Sequence, residues 1–171
     1  MENIKILIDS EKIKQRNKEL AEQIMKDYKD EEILILCVLK GGMFFTVDLS
    51  KEIKNKVEFE FIKLSSYGDA RVSSGKVEIQ QNIAGKIEGK NVLIVEDIID
   101  TGITMNFLKD YLKKFGPKSV KIATFLNKPE RRKVDVKIDY IGFDVPNKFI
   151  VGYGLDVEEN YRNLPYIGYV E

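Results

Sequence analysis

Residues 33–39 read Ile-Leu-Ile-Leu-Cys-Val-Leu, an apolar run with no polar interruption. Successive side chains of a strand point to opposite faces, so a strand built from this run has no face to offer water. It is stable only in a sheet covered on both sides, the usual situation of a parallel sheet in an α/β protein. Val92 to Val95 repeats the pattern more briefly. A parallel sheet needs long crossovers, and the intervening sequence supplies helical ones. Ser10 is placed as an N-cap before a helix to about Tyr28, with Ile13, Leu20, Ala21, Ile24, Met25 and Tyr28 on one stripe. Met43 to Lys54 and Thr104 to Phe115 read as two more helices, the latter stopped by Gly116-Pro117.

Shorter strands are expected at Ile4 to Ile8, Val120 to Leu126, Tyr140 to Phe143, Phe149 to Val151 and Ile167 to Val170. Val57, Phe59 and Phe61 alternate with Glu58 and Glu60, which predicts a strand with one wet face. The expected fold is thus an α/β single domain with a mainly parallel, twisted sheet flanked by helices. At 171 residues, one core is affordable and two hardly so. In such sheets ligands sit beyond the carboxyl ends of the strands. Two glycine-bearing loops fall there, Lys40-Gly41-Gly42 and Asp100-Thr101-Gly102. Ser65 to Asn82, polar and glycine-dotted in its first half, reads either as a solvated hairpin or as an active-site lid.

Composition removes several kinds of chemistry. There is no histidine, so Ser-His-Asp and Cys-His catalysis and His-ligated metals are excluded. A metal here would take oxygen ligands, which points to Mg²⁺ or a similar hard cation. Basic and acidic residues balance at 28 each, which leaves no net field for nucleic acid or an anionic membrane. No apolar run is long enough to span a bilayer and no signal peptide opens the chain, so a cytoplasmic protein is expected. The one cysteine, Cys37, reads as a buried small hydrophobe.

The stretch Val92 to Thr104, "VLIVEDIIDTGIT", carries the densest chemistry. A helix starting near Thr104 points free N–H groups and a positive dipole end at residues 101–104. Thr101 and Thr104 add hydroxyls, and Gly102 permits close backbone approach. That makes a phosphate cradle. Glu96 and Asp97 beside it would repel phosphate unless a divalent cation or sugar hydroxyls intervene. A phosphorylated ribose with Mg²⁺ meets all these demands. The plainer alternative is that Asp100 or Thr101 caps the helix and the acids are solvated. The Gly-x-x-x-x-Gly-Lys-[Ser/Thr] loop of nucleoside triphosphatases is absent.

These residues carry a resemblance. "VLIVEDIIDTGITM" (92–105) closely resembles the phosphoribosyl-diphosphate signature of type I phosphoribosyltransferases, and "VEDIIDTG" its hypoxanthine (hypoxanthine-guanine) branch. "VLKGG" (38–42) resembles that family's pyrophosphate loop. "LSSYGDARVSSG" (64–75) resembles its mobile lid, with Ser66 and Tyr67 at the Ser-Tyr pair. "DYIGFDVPNKFIVGYGLDVEENYR" (139–162) resembles its purine-binding segment. The resemblance covers nearly the whole chain, as one phosphoribosyltransferase domain over 1–171, and implies a small hood and a mobile lid added to the sheet. It implies transfer of the phosphoribosyl group of 5-phosphoribosyl 1-diphosphate to hypoxanthine or guanine, with Mg²⁺.

By that analogy Asp100 is the general base near the purine N7. Glu96 and Asp97 face the ribose hydroxyls and Mg²⁺, and residues Thr101, Gly102, Ile103 and Thr104 hold the 5′-phosphate. Lys40, Gly41, Gly42 and Arg162 contact pyrophosphate, and Asp156 holds a second Mg²⁺. The family often has an unusual peptide geometry before that lysine. Lys128 donates to the purine 6-oxygen, Phe149 stacks on the base and the main chain of Ile150 reads its edge. Without the resemblance, Phe149 and Ile150 read as core and Lys128 as a surface charge of "NKPERRK". Ile103 departs from relatives with a polar or basic residue there, so phosphate binding leans on Thr101, Thr104 and the helix end.

A phosphoribosyltransferase for xanthine or for guanine alone, a nucleotide or RNA sensor on the same fold, and a receiver-type signalling domain are the competing readings. The sensor is disfavoured by Asp100, the purine segment and the balanced charge. The receiver leaves Lys40-Gly41-Gly42 unexplained. The helix "MFFTVDL", apolar on more than one face, suggests a subunit contact in a homodimer or homotetramer.

Overall fold

A computed structural model describes residues 3–66, 77–79 and 83–170. The elements are β1 (Ile4–Ile8), α1 (Ser10–Tyr28), β2 (Ile33–Leu39), α2 (Met43–Glu52), β3 (Val57–Ser66), β4 (Val77–Ile79) and α3 (Ala84–Ile87). They continue as β5 (Asn91–Ile99), α4 (Ile103–Lys113), β6 (Ser119–Asn127), β7 (Tyr140–Asp144), β8 (Ile150–Val151) and β9 (Ile167–Val170). A six-stranded sheet has the order β4-β3-β2-β5-β6-β7. Its five strands from β3 to β7 in that order are parallel, and β4 pairs antiparallel at the edge.

The apolar run of β2 sits at the centre of this sheet, between β3 and β5. Its alternate residues feed two cores. Ile33 and Ile35 pack with Leu20, Ile24, Phe45 and Leu49 of α1 and α2. Leu34, Leu36 and Val38 pack with Ile83 and Ile87 around α3 and with Met105, Leu108 and Leu112 of α4. Helices on both faces are what an uninterrupted apolar strand requires. A smaller antiparallel sheet, β1-β9-β8, forms a hood beside the main one.

Several boundaries differ from the sequence reading for identifiable reasons. Asp9, not Ser10, caps α1, its carboxylate accepting the Lys12 N–H at 2.9 Å. The α1 stripe also buries Asn17, whose amide NH₂ donates to the Ile13 carbonyl and the Tyr153 hydroxyl, so the donor half of this polar core residue is satisfied. The strand expected at Val92 to Val95 runs on to Ile99, because β6 continues the ladder past the acids, pairing Glu96 with Thr124 and Ile99 with Asn127. Helix α2 stops at Glu52, where Ile53 turns extended and buries its side chain. Phe149 precedes β8 rather than opening it.

The expected dry face of β3 is also corrected. Phe59 and Phe61 are 46% and 43% exposed, beside exposed Met43 and Val47 of α2. Glu60, on the face expected to be wet, is the more sheltered residue and pairs with Lys86 at 3.2 Å. The phenylalanines lie outside the helix cover, so the alternation does not divide β3 into a dry face and a wet one. Of the Ser65 to Asn82 segment, Ser65 and Ser66 pair with Glu78 and Val77 as antiparallel strand ends. Tyr67 and the rest of the lid reading lie outside the described residues.

Candidate active site

β2 and β5 are neighbours in the sheet and run parallel, so the loops that follow them meet at one edge. They meet closely. A Cβ on Gly41 would overlap Asp97 Oδ2, and one on Gly42 would fall 2.9 Å from the Val95 carbonyl oxygen. Glycine at both positions lets the Lys40–Gly42 backbone lie directly on the acidic end of β5. From the other side, Gly154, at φ 102°, is seated on the Gly41 carbonyl. The Leu39–Lys40 peptide is cis, matching the unusual geometry expected before the lysine.

Glu96, Asp100, Thr101, Gly102 and Thr104 line a single cavity of about 140 Å³, with Ile98, Ile99 and Met105. Gly102, the N-cap of α4, takes the left-handed conformation at φ 84° and has no side chain to cap the helix, so most of its first amides are left for a ligand. The Ile103 N–H lies 3.3 Å from Thr101 Oγ1. Burial pushes the Glu96 carboxyl well above its usual range, and the adjacent Asp97 charge pushes it further. Burial likewise raises Asp97. Each carboxylate has found a backbone donor, Asp97 N–H to Glu96 Oε1 at 3.0 Å and Ile98 N–H to Asp97 Oδ1 at 2.6 Å. A buried pair like this resists carrying two charges, and a cation or hydroxyl donors would let both ionise.

The loop is fastened by residues that sequence reasoning missed. The N–H groups of Lys133 and Val134 both donate to the Thr101 carbonyl, at 2.9 and 3.1 Å. Arg132 donates to the Asp100 carbonyl at 3.2 Å and to the Asn127 side chain. Arg131 Nε lies 2.8 Å from Asp100 Oδ1, an ion pair, while that buried oxygen has no aligned hydrogen-bond donor. A basic run after β6 was visible as "PERRK". Its meaning depends on the β5–β6 pairing, which brings Asn127 beside Ile99.

A second cluster forms around Lys40. Lys40 Nζ pairs with Glu159 Oε2 at 2.7 Å, and Arg162 Nη2 reaches Glu159 Oε1 at 3.3 Å and Asp156 Oδ1 at 3.0 Å. Arg162 Nη1 donates to the Gly154 carbonyl at 2.7 Å. Lys40, Arg162 and Asp156 are thus linked in one ion-pair cluster through Glu159 and Arg162. Hydrogen bonds from Lys40 and then Arg162 hold the Glu159 carboxyl below its usual range. Glu96, Asp97 and Asp156 are not gathered into one metal site. No set of three or more acidic, cysteine or histidine side chains positioned for a metal occurs among the described residues.

The third group is Lys128 and Phe149. Lys128 Nζ donates to the Lys148 carbonyl at 2.7 Å, which sets the ammonium against the residue before Phe149. Partial burial lowers the Lys128 pKa, opposed by the Asp100 charge. Phe149, the next residue, has a ring that is 61% exposed, whereas the Ile150 side chain is core. Of Ile150 only the main chain is left for a ligand.

A family model described as "Phosphoribosyl transferase domain" matches residues 3–158. The chain belongs to the phosphoribosyl transferase domain family. Relatives share nearly its whole length. It is 50% identical over 164 residues to the hypoxanthine-guanine phosphoribosyltransferase of Streptococcus thermophilus, covering 96% of this chain and 91% of the relative. The crystal structure of a hypoxanthine-guanine phosphoribosyltransferase from Bacillus anthracis is 50% identical, with a TM-score of 0.94 over 99% of this chain and 100% of that one. A hypoxanthine phosphoribosyltransferase from Staphylococcus aureus is 41% identical, with a TM-score of 0.93 over 98% of this chain and 91% of its own.

Proposed function

We propose that this phosphoribosyl transferase domain, over the whole chain, moves the phosphoribosyl group of 5-phosphoribosyl 1-diphosphate to hypoxanthine and guanine. The products are the nucleoside monophosphate and pyrophosphate, and the role is purine salvage. The observation that carries it is the cavity where Glu96 and Asp100 share walls with the uncapped end of α4. Phosphate and ribose hydroxyls together satisfy that mixture, and neither does alone. The names of the relatives support the choice of purine.

In this reading the 5′-phosphate takes the amides and hydroxyls of Thr101 to Thr104, with Ile103 contributing only its backbone. Glu96 and Asp97 accept from the ribose hydroxyls. Purine N9 forms a bond to C1 of the sugar as the bond from C1 to the diphosphate oxygen breaks. The proton on N7 passes to the Asp100 carboxylate. Lys40, the Gly41 and Gly42 backbone, and Arg162 receive the leaving pyrophosphate. Lys128 donates to the purine 6-oxygen, Phe149 stacks on the ring and the Ile150 main chain meets its edge.

Mg²⁺ fits an all-oxygen donor set with no histidine. It would be held by Glu96, Asp97 and Asp156 singly, with substrate oxygens completing each shell, since the protein builds no cage. Bound there, it would neutralise diphosphate charge. Ser66 and Tyr67 belong to the proposed lid.

The exposed face of Met43, Val47, Phe59 and Phe61 surrounds an apolar cleft of about 310 Å³ and supports a homodimer or homotetramer. No helix among the described residues is long and apolar enough to cross a membrane. With balanced charge, the reading is a cytoplasmic enzyme without nucleic-acid or membrane partners. Turnover of hypoxanthine, guanine and adenine with 5-phosphoribosyl 1-diphosphate, followed by ultraviolet absorbance with and without chelator, tests it. Metal-dependent turnover of the two 6-oxopurines is expected. Its absence with both would overturn the reading.

A further inference from the structure

We infer that Glu159 is an internal stand-in for the leaving pyrophosphate, a carboxylate that holds the two pyrophosphate-binding cations until the diphosphate displaces it. The inference rests on the assignment of Lys40 and Arg162 to pyrophosphate given above. One carboxylate bridges both cations, Oε2 to Lys40 Nζ at 2.7 Å and Oε1 to Arg162 Nη2 at 3.3 Å. Two oxygens of a phosphate group have the same bridging shape and more charge.

The partners differ in how firmly they are held. Arg162 has fixed anchors in the Gly154 carbonyl and Asp156. Its Nε is buried and has no hydrogen-bond partner, so the guanidinium is enclosed by the fold rather than exchangeable. Lys40 Nζ has Glu159 as its one ion-pair partner among the described residues. The Glu159 side chain is 63% exposed, with nothing packed over it to prevent release. Glu159 is therefore the exchangeable member of the cluster.

The backbone is built to aim it. Glu158, Glu159 and Tyr161 all have positive φ, at 49°, 65° and 75°, in a region side chains other than glycine avoid. The turn is tied by Asp156 Oδ2, which accepts the Glu159 N–H at 2.9 Å, and by paired bonds between Val157 and Asn160. Backbone held in this way points to a functional constraint. The consequence is competition. Pyrophosphate, as product or as part of the substrate, must displace Glu159 to bind, and Glu159 returns as it leaves. The residue thus weakens product inhibition and hastens release.

Calorimetric titration of the whole enzyme with magnesium pyrophosphate, and pyrophosphate inhibition of turnover, should both be measured for wild type, Glu159→Gln and Lys40→Ala. Glu159→Gln should tighten pyrophosphate by roughly 2- to 5-fold, the size of an exposed ion pair. KM for 5-phosphoribosyl 1-diphosphate should fall in step, with KM for hypoxanthine held. A purely structural turn residue would loosen binding or leave it unchanged, and either result overturns the inference. Lys40→Ala should weaken pyrophosphate in both measurements. If it does not, the pyrophosphate assignment itself fails, whatever Glu159→Gln does.

Discussion

The two glycine loops, Lys40–Gly42 and Asp100–Gly102, end neighbouring parallel strands and open helices with a glycine as N-cap, yet they are built differently. The first is a backbone device. Gly42 is right-handed, at φ −74°, and Gly41 is pressed between Asp97 and Gly154. Its one charged side chain, Lys40, is engaged by Glu159 from a distant segment. The second is a side-chain device. Gly102 is left-handed and the loop carries Asp100, Thr101 and Thr104 into a cavity, fastened by the 131–134 strap. A loop of bare backbone and a displaceable cation suits a group that must leave. A loop of fixed hydroxyls and amides suits a group that stays through the reaction.

That contrast can be broken at specific positions. Asp100→Asn should lower kcat on the order of 10²- to 10⁴-fold, the usual scale of lost general base catalysis. Binding of 5-phosphoribosyl 1-diphosphate should change little, and steady-state kinetics with a separate binding titration check both. Gly41→Ala comes next. Its Cβ would overlap the Asp97 carboxylate, so that carboxylate must turn out of its place or the Lys40 loop must shift. A loss of about 10²-fold in kcat/KM is expected for such misplacement. Gly85→Ala, with nothing within 4 Å, serves as the comparison that should leave rates alone.

Lys128→Ala should act on neither phosphate loop. It removes a charged donor worth about 1.5–3 kcal/mol, so the preference for hypoxanthine over adenine should shrink by roughly 10- to 100-fold. An unchanged preference, measured as a ratio of kcat/KM values, would remove Lys128 from the purine edge.

The smallest effect concerns the paired acids. Burial raises the folded-state pKa of Glu96 and Asp97 above their ordinary values. Between the unfolded and folded values the native state binds more protons, so their contribution to stability declines as pH rises through that window. Glu96→Gln should therefore raise the melting temperature by a few degrees at neutral pH, while impairing catalysis. The gain should fade as pH drops toward the ordinary carboxylate value. Thermal melts across pH that show the gain growing with acidity would contradict the burial argument.

Much of this was legible in the chain, and the limits have physical causes. The β2 run fixed a two-sided sheet because no other setting buries both faces, and Ile33 with Leu34 does feed opposite cores. The acids and the Asp-Thr-Gly stretch marked the cavity because their chemistry conflicts unless a ligand resolves it. Residues whose roles depend on distant segments were not legible. Glu159 is one acid among many until Lys40 is brought to it across 119 positions of chain. Arg131 acquires meaning only when β6 is laid against β5. Phe59 and Phe61 alternate as a buried face would, and nothing local says that the cover stops short of them. The Ser10 expectation failed for a smaller reason, since Asp9 caps as well and comes first.

The most direct test of the division between the loops is a crystal structure with inosine monophosphate and magnesium pyrophosphate bound together. The account places the 5′-phosphate on the amides and hydroxyls of Thr101 to Thr104, with the ribose hydroxyls on Glu96 and Asp97. It places pyrophosphate on Lys40 and Arg162, with the Glu159 carboxylate turned away from both. A nucleotide phosphate seated on the Lys40 loop, or pyrophosphate bound at the α4 end, would contradict it.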